Sequence, residues 1–193
     1  MALPNFIGLS HVCVIVDDIM EAFEYYKRIL GAVPDQCIPH YRNKGFFEAA
    51  GFVDDAKQCD ISIGFLTVPG AGLTIEIMEY HIPQGRKEPV VFGANDVSGA
   101  RHVALKVSNI EEAFAHIKAQ PDATLINETS DYKVFQISST EPSDFYYFDK
   151  EREADAQGKQ VAADILGQIQ YFYFIDRYGL QWEFEQGHSD IGS

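Results

Sequence analysis

The sequence predicts an α+β protein built from two tandem βαβββ modules, because the chain repeats itself. Residues 8–27 align with residues 99–118 at a constant offset of 91, and the module ends 72–80 and 179–187 correspond as well. Nine of the twenty positions in the first pair are identical, whereas average composition gives about one by chance. The identical positions are Gly8/Gly99, His11/His102, Val12/Val103, Val16/Val107, Ile19/Ile110, Glu21/Glu112, Ala22/Ala113, Phe23/Phe114 and Lys27/Lys118, followed at the module ends by Gly72/Gly179, Leu73/Leu180 and Glu76/Glu183.

The first module, residues 1–81, is predicted to begin with a strand and a helix. Segment 6–16 is rich in Val and Ile, which favours a buried strand. Apolar residues then recur at helical spacing over 19–30, with Asp17 and Asp18 as capping residues and Gly31 as the stop. Three strand-like segments follow at 45–53, 60–68 and 73–80, and the last two are joined by a glycine-rich turn at 69–72.

The second module, residues 100–193, follows a linker at 82–99 that is rich in proline and glycine. We expect the same order of elements: a strand at 102–108, a helix at 110–119, strands at 133–138, 170–175 and 180–186, and a turn at 176–179. His11 and Glu76 are 65 positions apart, whereas His102 and Glu183 are 81 apart, so this module holds sixteen more residues. They fall in an insertion at 141–168, whose alanines and residues 164–168 favour a short helix. Its charged composition fits both a lid over a pocket and a solvent-exposed segment with no role in the pocket.

Composition and charge restrict the partners. The chain has 193 residues and a formal net charge of −14, with a pI near 4.7. Such a surface repels phosphate backbones and anionic lipid, so we expect neither nucleic acid nor a membrane as a partner. The three cysteines, Cys13, Cys37 and Cys59, show no CxxC pairing and indicate a reducing compartment. We find no signal peptide pattern and no apolar run of about 20 residues. We therefore expect a cytoplasmic protein.

Two histidines and two glutamates stand at equivalent places of the repeat and predict a metal site at the meeting of the two halves. A glutamate inside TIEIM or QWEFE is costly to bury unless a cation or a donor meets it. Two imidazoles and two carboxylates suit a borderline divalent ion: zinc, nickel, cobalt, manganese or iron(II). The competing interpretation is hydrogen-bonded core histidines that the second copy merely inherited. Retention of all four residues while half of their surroundings diverged favours the metal. These predicted ligands are His11, Glu76, His102 and Glu183.

Strand alternation also predicts which residues share a face with the ligands. The opening strands place Cys13 and Ile15 with His11, and Lys106 with His102. The closing strands place Met78 with Glu76, and Glu185 with Glu183. We predict that these neighbours line a substrate pocket: Cys13, Ile15, Met78, Lys106 and Glu185. Lys106 either holds a substrate carboxylate or phosphate or pairs with Glu185.

The remaining histidines are interpreted as surface or capping groups. His40 and His81 fall in predicted loops, His116 on a helix and His188 near the C-terminus. His81 lies five residues after Glu76, which would let it approach the site.

At these residues the chain resembles the vicinal oxygen chelate superfamily, which includes glyoxalase I, methylmalonyl-CoA epimerase, extradiol dioxygenases and the fosfomycin and bleomycin resistance proteins. The resemblance covers both modules, apart from the linker and the insertion. Its motifs are HVCVIVDDIMEAFEYYKRILG, LTIEIMEY, RHVALKVSNIEEAF and FYFIDRYGLQWEFE. It implies a curved, incomplete mixed-sheet barrel around one divalent metal ion, with His11, Glu76, His102 and Glu183 at the ligand positions and no nucleotide cofactor.

The full His/Glu/His/Glu set is most similar to that of bacterial glyoxalase I. The epimerase usually carries a glutamine in place of Glu76, and the iron dioxygenases use two histidines and one glutamate. The resemblance implies proton abstraction beside a metal-chelated carbonyl of a small oxygenated substrate by a lyase or isomerase. It implies Glu183 as the catalytic base and Glu76 as its catalytic partner.

The glutathione contacts of glyoxalase I are absent from this chain. That enzyme has an Arg, an Asn and an Arg at the positions held here by Ile15, Tyr80 and Ser98. We therefore expect a substrate other than a glutathione adduct. Two other functions stay open: an iron(II) dioxygenase of the same fold, and a resistance-type protein that binds its ligand without catalysis. Two arrangements also fit the repeat, because the modules pair either within one chain or between the two chains of a homodimer.

Overall fold

A computed structural model describes residues 7–52, 56–90, 92–97, 99–127 and 129–187. The chain divides into two compact units, Met1–Val91 and Phe92–Ser193. Each unit contains one mixed β-sheet with helices, which confirms the predicted α+β class, and neither sheet closes into a barrel. No helix in these ranges is long and apolar enough to cross a membrane.

Unit 1 contains a four-stranded sheet in the order β1-β4-β3-β2. β1 is parallel to β4, while β3 is antiparallel to both of its neighbours. The elements are β1 (Val12–Val16), α1 (Ile19–Leu30), β2 (Val33–Tyr41), α2 (Lys44–Ala49), β3 (Asp60–Val68) and β4 (Leu73–Ile82).

Helix α1 forms as the sequence predicts. The Asp18 carboxylate accepts hydrogen bonds from the backbone N–H groups of Met20 and Glu21, both at 2.9 Å. Gly31 ends the helix with φ of +63°, a left-handed conformation that glycine adopts without strain. The apolar face packs closely on β3: a Cβ added to Gly64 would lie 2.5 Å from Phe23 Cζ. The glycine therefore sets the distance between this helix and the sheet.

The predicted strand at 45–53 is wrong, because α2 occupies most of this segment. The aromatic run favours a strand by propensity, but the Asn43 side chain accepts a hydrogen bond from Phe46 N at 3.0 Å and starts a helix. Phe47 is then fully buried against the sheet. Residue 53 lies outside the described residues.

The strand that takes this place in the sheet is β2, which the sequence does not predict. β2 is an exposed edge strand with two prolines, so it has no apolar alternation to reveal it. The first strand also differs from the prediction: it begins at Val12 and buries only one face, with Val14 and Val16 buried but Cys13 and Ile15 exposed. Residue 6, the start of the predicted strand, lies outside the described residues.

Unit 2 has a sheet in the order β5-β9-β8-β6, with β7 also paired to β8. β5 is parallel to β9, as β1 is to β4 in unit 1. Of the predicted strand at 133–138, only the two residues of β7 are in a strand. The sequence does not predict β6, because a strand of two residues shows no alternation. The elements are β5 (His102–Lys106), α3 (Ile110–Lys118), β6 (Thr124–Leu125), β7 (Phe135–Gln136), α4 (Lys150–Ala154), α5 (Ala156–Leu166), β8 (Gln170–Ile175) and β9 (Gln181–Gln186).

The turn between β8 and β9 is held by one buried carboxylate. Asp176 Oδ1 accepts hydrogen bonds from the backbone N–H groups of Tyr178 and Leu180, both at 2.9 Å. Its Oδ2 accepts a third from the indole N–H of Trp182 at 3.0 Å. Trp182 is fully buried, so this carboxylate joins the turn to the core of unit 2.

The insertion at 141–168 is folded and contains α4 and α5. Asp149 and Asp155 cap the two helices. α5 begins earlier than the predicted helix and ends at Leu166. The Gln136 side chain donates to the carbonyl of Gly167 at 2.6 Å and joins the end of the insertion to β7. The insertion is therefore an ordered element of unit 2.

Candidate metal centre

In unit 1 the first predicted pair of ligands is in direct contact. His11 immediately precedes β1, and Glu76 lies in β4 opposite Cys13. Because β1 and β4 are parallel and adjacent, the two side chains share a face of the sheet. His11 Nε2 lies 3.1 Å from Glu76 Oε2. The carboxylate is buried, while the imidazole is partly accessible.

In unit 2 the second pair repeats this arrangement. His102 begins β5, and Glu183 lies in β9 opposite Ala104. His102 Nε2 lies 2.9 Å from Glu183 Oε2. The exposed fractions of the side chains also match. The histidine is 34% exposed here and 36% exposed in unit 1, and the glutamate is 14% exposed here and 10% exposed in unit 1. The repeat in the sequence is thus a repeat in side-chain geometry.

Each pair has a geometry that suits two neighbouring ligands of one six-coordinate metal ion. A bond length of about 2.1 Å to imidazole nitrogen or carboxylate oxygen, with neighbouring ligands at right angles, puts the ligand atoms about 3 Å apart. The measured separations of 3.1 Å and 2.9 Å agree with that value. A direct hydrogen bond between the two side chains has the same length. The residues of both units therefore fit a divalent ion, and that they bind one stays a prediction.

The two glutamates differ in the neighbour that donates a hydrogen bond to them. Glu76 is bonded by the thiol of Cys13, its partner on β1. Glu183 is bonded by the phenol of Tyr173, its partner on β8. The residue of unit 1 that corresponds to Tyr173 is Phe65, which lies opposite Glu76 and has no hydroxyl group. The two His–Glu pairs therefore have the same residues but differ in the group that donates a hydrogen bond to the glutamate.

Both supporting donors keep their protons at neutral pH. Partial burial, together with the charge and hydrogen bond of Glu76, raises the pKa of the Cys13 thiol to about 12. Burial and the Glu183 carboxylate also raise the pKa of the Tyr173 phenol well above its usual value. Because the thiolate is the reactive form of cysteine, Cys13 is a poor nucleophile here.

The strand registers confirm the predicted shared faces, although the role of these residues as pocket residues stays a prediction. Ile15 is exposed opposite Met78. Met78 is 9% exposed and belongs to a hydrophobic cluster with Phe47 under α2. Lys106 and Glu185 lie opposite each other on β5 and β9, a register that allows them to pair.

The structure describes two of the three residues, Ile15 and Tyr80, that stand where glyoxalase I has its glutathione contacts. Ile15 is an exposed apolar residue, and Tyr80 packs its ring 5.7 Å from that of Phe52. Burial raises the pKa of the Tyr80 phenol. Ser98 lies outside the described residues. Neither described side chain provides a charged or amide contact.

The structure brings together a second group of potential ligands that sequence reasoning did not identify. His40 and His81 stack with ring centroids 4.7 Å apart, and Asp60 joins them. His81 contacts Ser62 and Glu79, which lie opposite each other on β3 and β4. The prediction that both histidines lie in loops is wrong, because His40 belongs to β2, which the sequence does not predict, and His81 belongs to β4.

With this geometry established, comparison with known proteins identifies the family. The model of the Glyoxalase/Bleomycin resistance protein/Dioxygenase superfamily matches residues 8–184. The chain belongs to this superfamily. The match includes all four predicted ligands, and it covers both units.

The curated relatives that match are epimerases. The chain is 22% identical over 126 residues to a 2-epi-5-epi-valiolone epimerase from an Actinomyces species, which covers 65% of this chain and 66% of that protein. It is 25% identical over 122 residues to the mitochondrial methylmalonyl-CoA epimerase of Homo sapiens, which covers 62% of this chain and 57% of that protein. The chain thus spans less than two thirds of the length of these relatives.

Solved structures of the superfamily share the fold. A glyoxalase family protein from Bacillus cereus matches with a TM-score of 0.63 and 13% identity, covering 98% of this chain and 99% of that chain. A glyoxylase/bleomycin resistance protein/dioxygenase domain from Frankia sp. EAN1pec matches with a TM-score of 0.53 and 15% identity, covering 95% and 100%. These similarities support the predicted fold.

Proposed function

We propose that this protein is a divalent-metal-dependent isomerase that moves a proton beside the carbonyl of a small oxygenated substrate. The observation that carries the proposal is the duplicated His–Glu pair, with ligand-like separations of 3.1 Å and 2.9 Å. In this proposal His11, Glu76, His102 and Glu183 hold one ion. When bound, such an ion polarises the carbonyl of the substrate and makes the adjacent C–H bond more acidic.

Glu183 is the proposed catalytic base. Its carboxylate is shielded from solvent but not fully buried, so it keeps access to a substrate carbon. The Tyr173 hydroxyl donates a hydrogen bond to it and fixes its orientation. Glu76 is its proposed partner: in its protonated form it would give its own proton to the other face of the substrate carbon, while Glu183 keeps the proton that it has taken. The Cys13 thiol donates a hydrogen bond to Glu76 and keeps its own proton. Two carboxylates with different supporting donors are suited to the different tasks of taking and returning a proton.

The curated relatives favour isomerase chemistry over the two alternatives. Both are named epimerases, and an epimerisation inverts a carbon centre without a net change of composition. Retention of four ligands favours proton transfer over iron(II) dioxygenase chemistry, which uses three. It also argues against a protein that binds an apolar ligand without a metal. The exposed Ile15 and the ring-packed Tyr80 support a substrate without glutathione.

The test is solvent deuterium exchange. The wild type is loaded in turn with Zn²⁺, Ni²⁺, Co²⁺, Mn²⁺ or Fe²⁺ and incubated in ²H₂O with methylmalonyl-CoA or with the hemithioacetal of methylglyoxal and glutathione. We expect deuterium to enter the carbon beside the carbonyl of the acyl substrate. We expect little or no turnover of the glutathione adduct.

Glu183→Gln keeps the shape of the side chain and removes the base. We expect this variant to lose at least about 100-fold in exchange rate, which is the scale of a general base. Glu111→Gln, an exposed substitution on α3, is the control and keeps the wild-type rate. Exchange that survives Glu183→Gln at the wild-type rate would contradict the proposal, as would oxygen consumption in place of exchange with the Fe²⁺-loaded protein.

A further inference from the structure

We propose that His40, Asp60 and His81 form a second divalent-metal site in unit 1, separate from the proposed catalytic centre, and that its ion is Zn²⁺. The three residues come from the adjacent strands β2, β3 and β4. One ligand atom of each lies within 4.8 Å of the other two. Ligands of a tetrahedral zinc ion are about 3.4 Å apart, so a small closure of these side chains completes the site.

The Asp60 carboxylate has an oxygen without a hydrogen-bond partner. Asp60 is 3% exposed. Its Oδ2 accepts hydrogen bonds from Arg42 at 2.8 Å and from the His40 ring at 3.1 Å. Its Oδ1 is buried and has no partner among the described residues. An unsatisfied buried oxygen is costly, and a cation beside it removes the cost.

The two contacts of the His81 ring favour the tautomer in which Nε2 carries a lone pair. Its Nδ1 lies 3.3 Å from Glu79 Oε1, which favours the tautomer that carries the proton on Nδ1. Its Nε2 then accepts a hydrogen bond from the Ser62 hydroxyl at 2.8 Å. A carboxylate on the far nitrogen is the usual support of a metal-binding histidine. The Nε2 lone pair is the one that the ion would take from Ser62.

The backbone of β2 is distorted at His40 in a way that directs this side chain. His40 has φ of +53°, a left-handed conformation that is strained for a residue with a side chain. The register of β2 against β3 shifts between Ile38 and Tyr41, around the same residue. Such irregularities re-aim side chains and recur at functional sites. Here the result is the stacking of His40 on His81.

Two imidazoles and one carboxylate are a donor set that zinc accepts, with water in the fourth position. The His40 side chain is 63% exposed, so an ion has a path from solvent. An ion bound here would link the edge strand β2 to β3 and β4 through its ligands. Arg42 is the competitor, because its guanidinium occupies the same carboxylate. Its side chain is largely exposed and is free to turn away when the ion binds.

The experiment is a Zn²⁺ titration of the chelator-treated full chain by calorimetry. The double variant His11→Ala/His102→Ala, which lacks two of the proposed catalytic ligands, is expected to bind one equivalent. Addition of His81→Ala or His40→Asn to this background should abolish that equivalent. Asparagine adopts the left-handed conformation readily, so His40→Asn removes the imidazole without new backbone strain. His116→Ala, an exposed histidine of α3, is the matched control and keeps it.

Arg42→Gln tests whether Arg42 and the ion compete for the Asp60 carboxylate. Removal of the competing cation should tighten Zn²⁺ binding by up to about fivefold, the factor that corresponds to an exposed ion pair. Weaker binding in this variant would overturn the proposal. So would a double variant that binds no Zn²⁺, or one that retains its equivalent after His81→Ala. A wild type with one equivalent, removed by His81→Ala and not by His11→Ala, would support this site and refute the proposed function.

Discussion

At the scale of single residues, the two His–Glu pairs have the same residue types but differ in the side chain that donates a hydrogen bond to the glutamate. The glutamate of unit 1 has a thiol neighbour, Cys13, and the glutamate of unit 2 has a phenol neighbour, Tyr173. The sequence could predict the four residues of these pairs, because the repeat keeps them; their role as metal ligands stays a prediction. It could not predict the role of Tyr173, since that depends on which residue of β8 lies opposite Glu183. Only the strand register supplies this information.

Tyr173→Phe tests whether the phenol supports the glutamate. The fold should be preserved, because Phe65 already occupies the equivalent position of unit 1. We expect metal affinity to fall by about 10- to 100-fold, the usual effect of removing a group that orients a ligand. Metal titration measures it. Tyr171→Phe, at the neighbouring position opposite Glu185, is the control. Equal affinities in the wild type and in Tyr173→Phe would show that the phenol has no such role.

At the scale of elements, burial decides which ones the sequence reveals. The helix α1 and the strands β3 and β8 have apolar patterns, and their predicted bounds agree with the structure. The edge strand β2 has no such pattern, because it is exposed along its length. The predicted strand at 45–53 failed for the opposite reason. Its aromatic residues have high strand propensity, but a local cap at Asn43 and the burial of Phe47 favoured a helix.

Gly64→Ala tests the packing of α1 on the sheet. The added methyl group would lie 2.5 Å from Phe23 Cζ and 3.1 Å from Ile19 Cδ1, and both side chains are buried. We expect the free energy of unfolding to fall by about 1–3 kcal/mol, which is typical of an overpacked core. Urea denaturation measures it. Gly85→Ala is the matched control, since its Cβ would meet nothing within 4 Å. An unchanged urea midpoint for Gly64→Ala would show that α1 does not depend on this close approach.

At the scale of the whole molecule, the repeat predicted the fold class and the ligand pairs together. The strand order β1-β4-β3 of unit 1 recurs as β5-β9-β8 in unit 2. The two His–Glu pairs therefore lie at equivalent parallel strand pairs, one in each unit. The differences between the units could not be derived from the repeat. The His40–Asp60–His81 group of unit 1 and the folded insertion of unit 2 both lie outside the repeated segments.

We propose that four side chains, two from each repeat, ligate one metal ion. The most direct measurement is the metal affinity and stoichiometry of His81→Ala, in which the second proposed site is removed, alone and combined with His11→Ala or with His102→Ala. We expect one equivalent for His81→Ala, and a loss of at least about 100-fold in affinity for either combined variant, because each removes a ligand of the same ion. An equivalent that is retained at unchanged affinity in either combined variant would contradict the shared site.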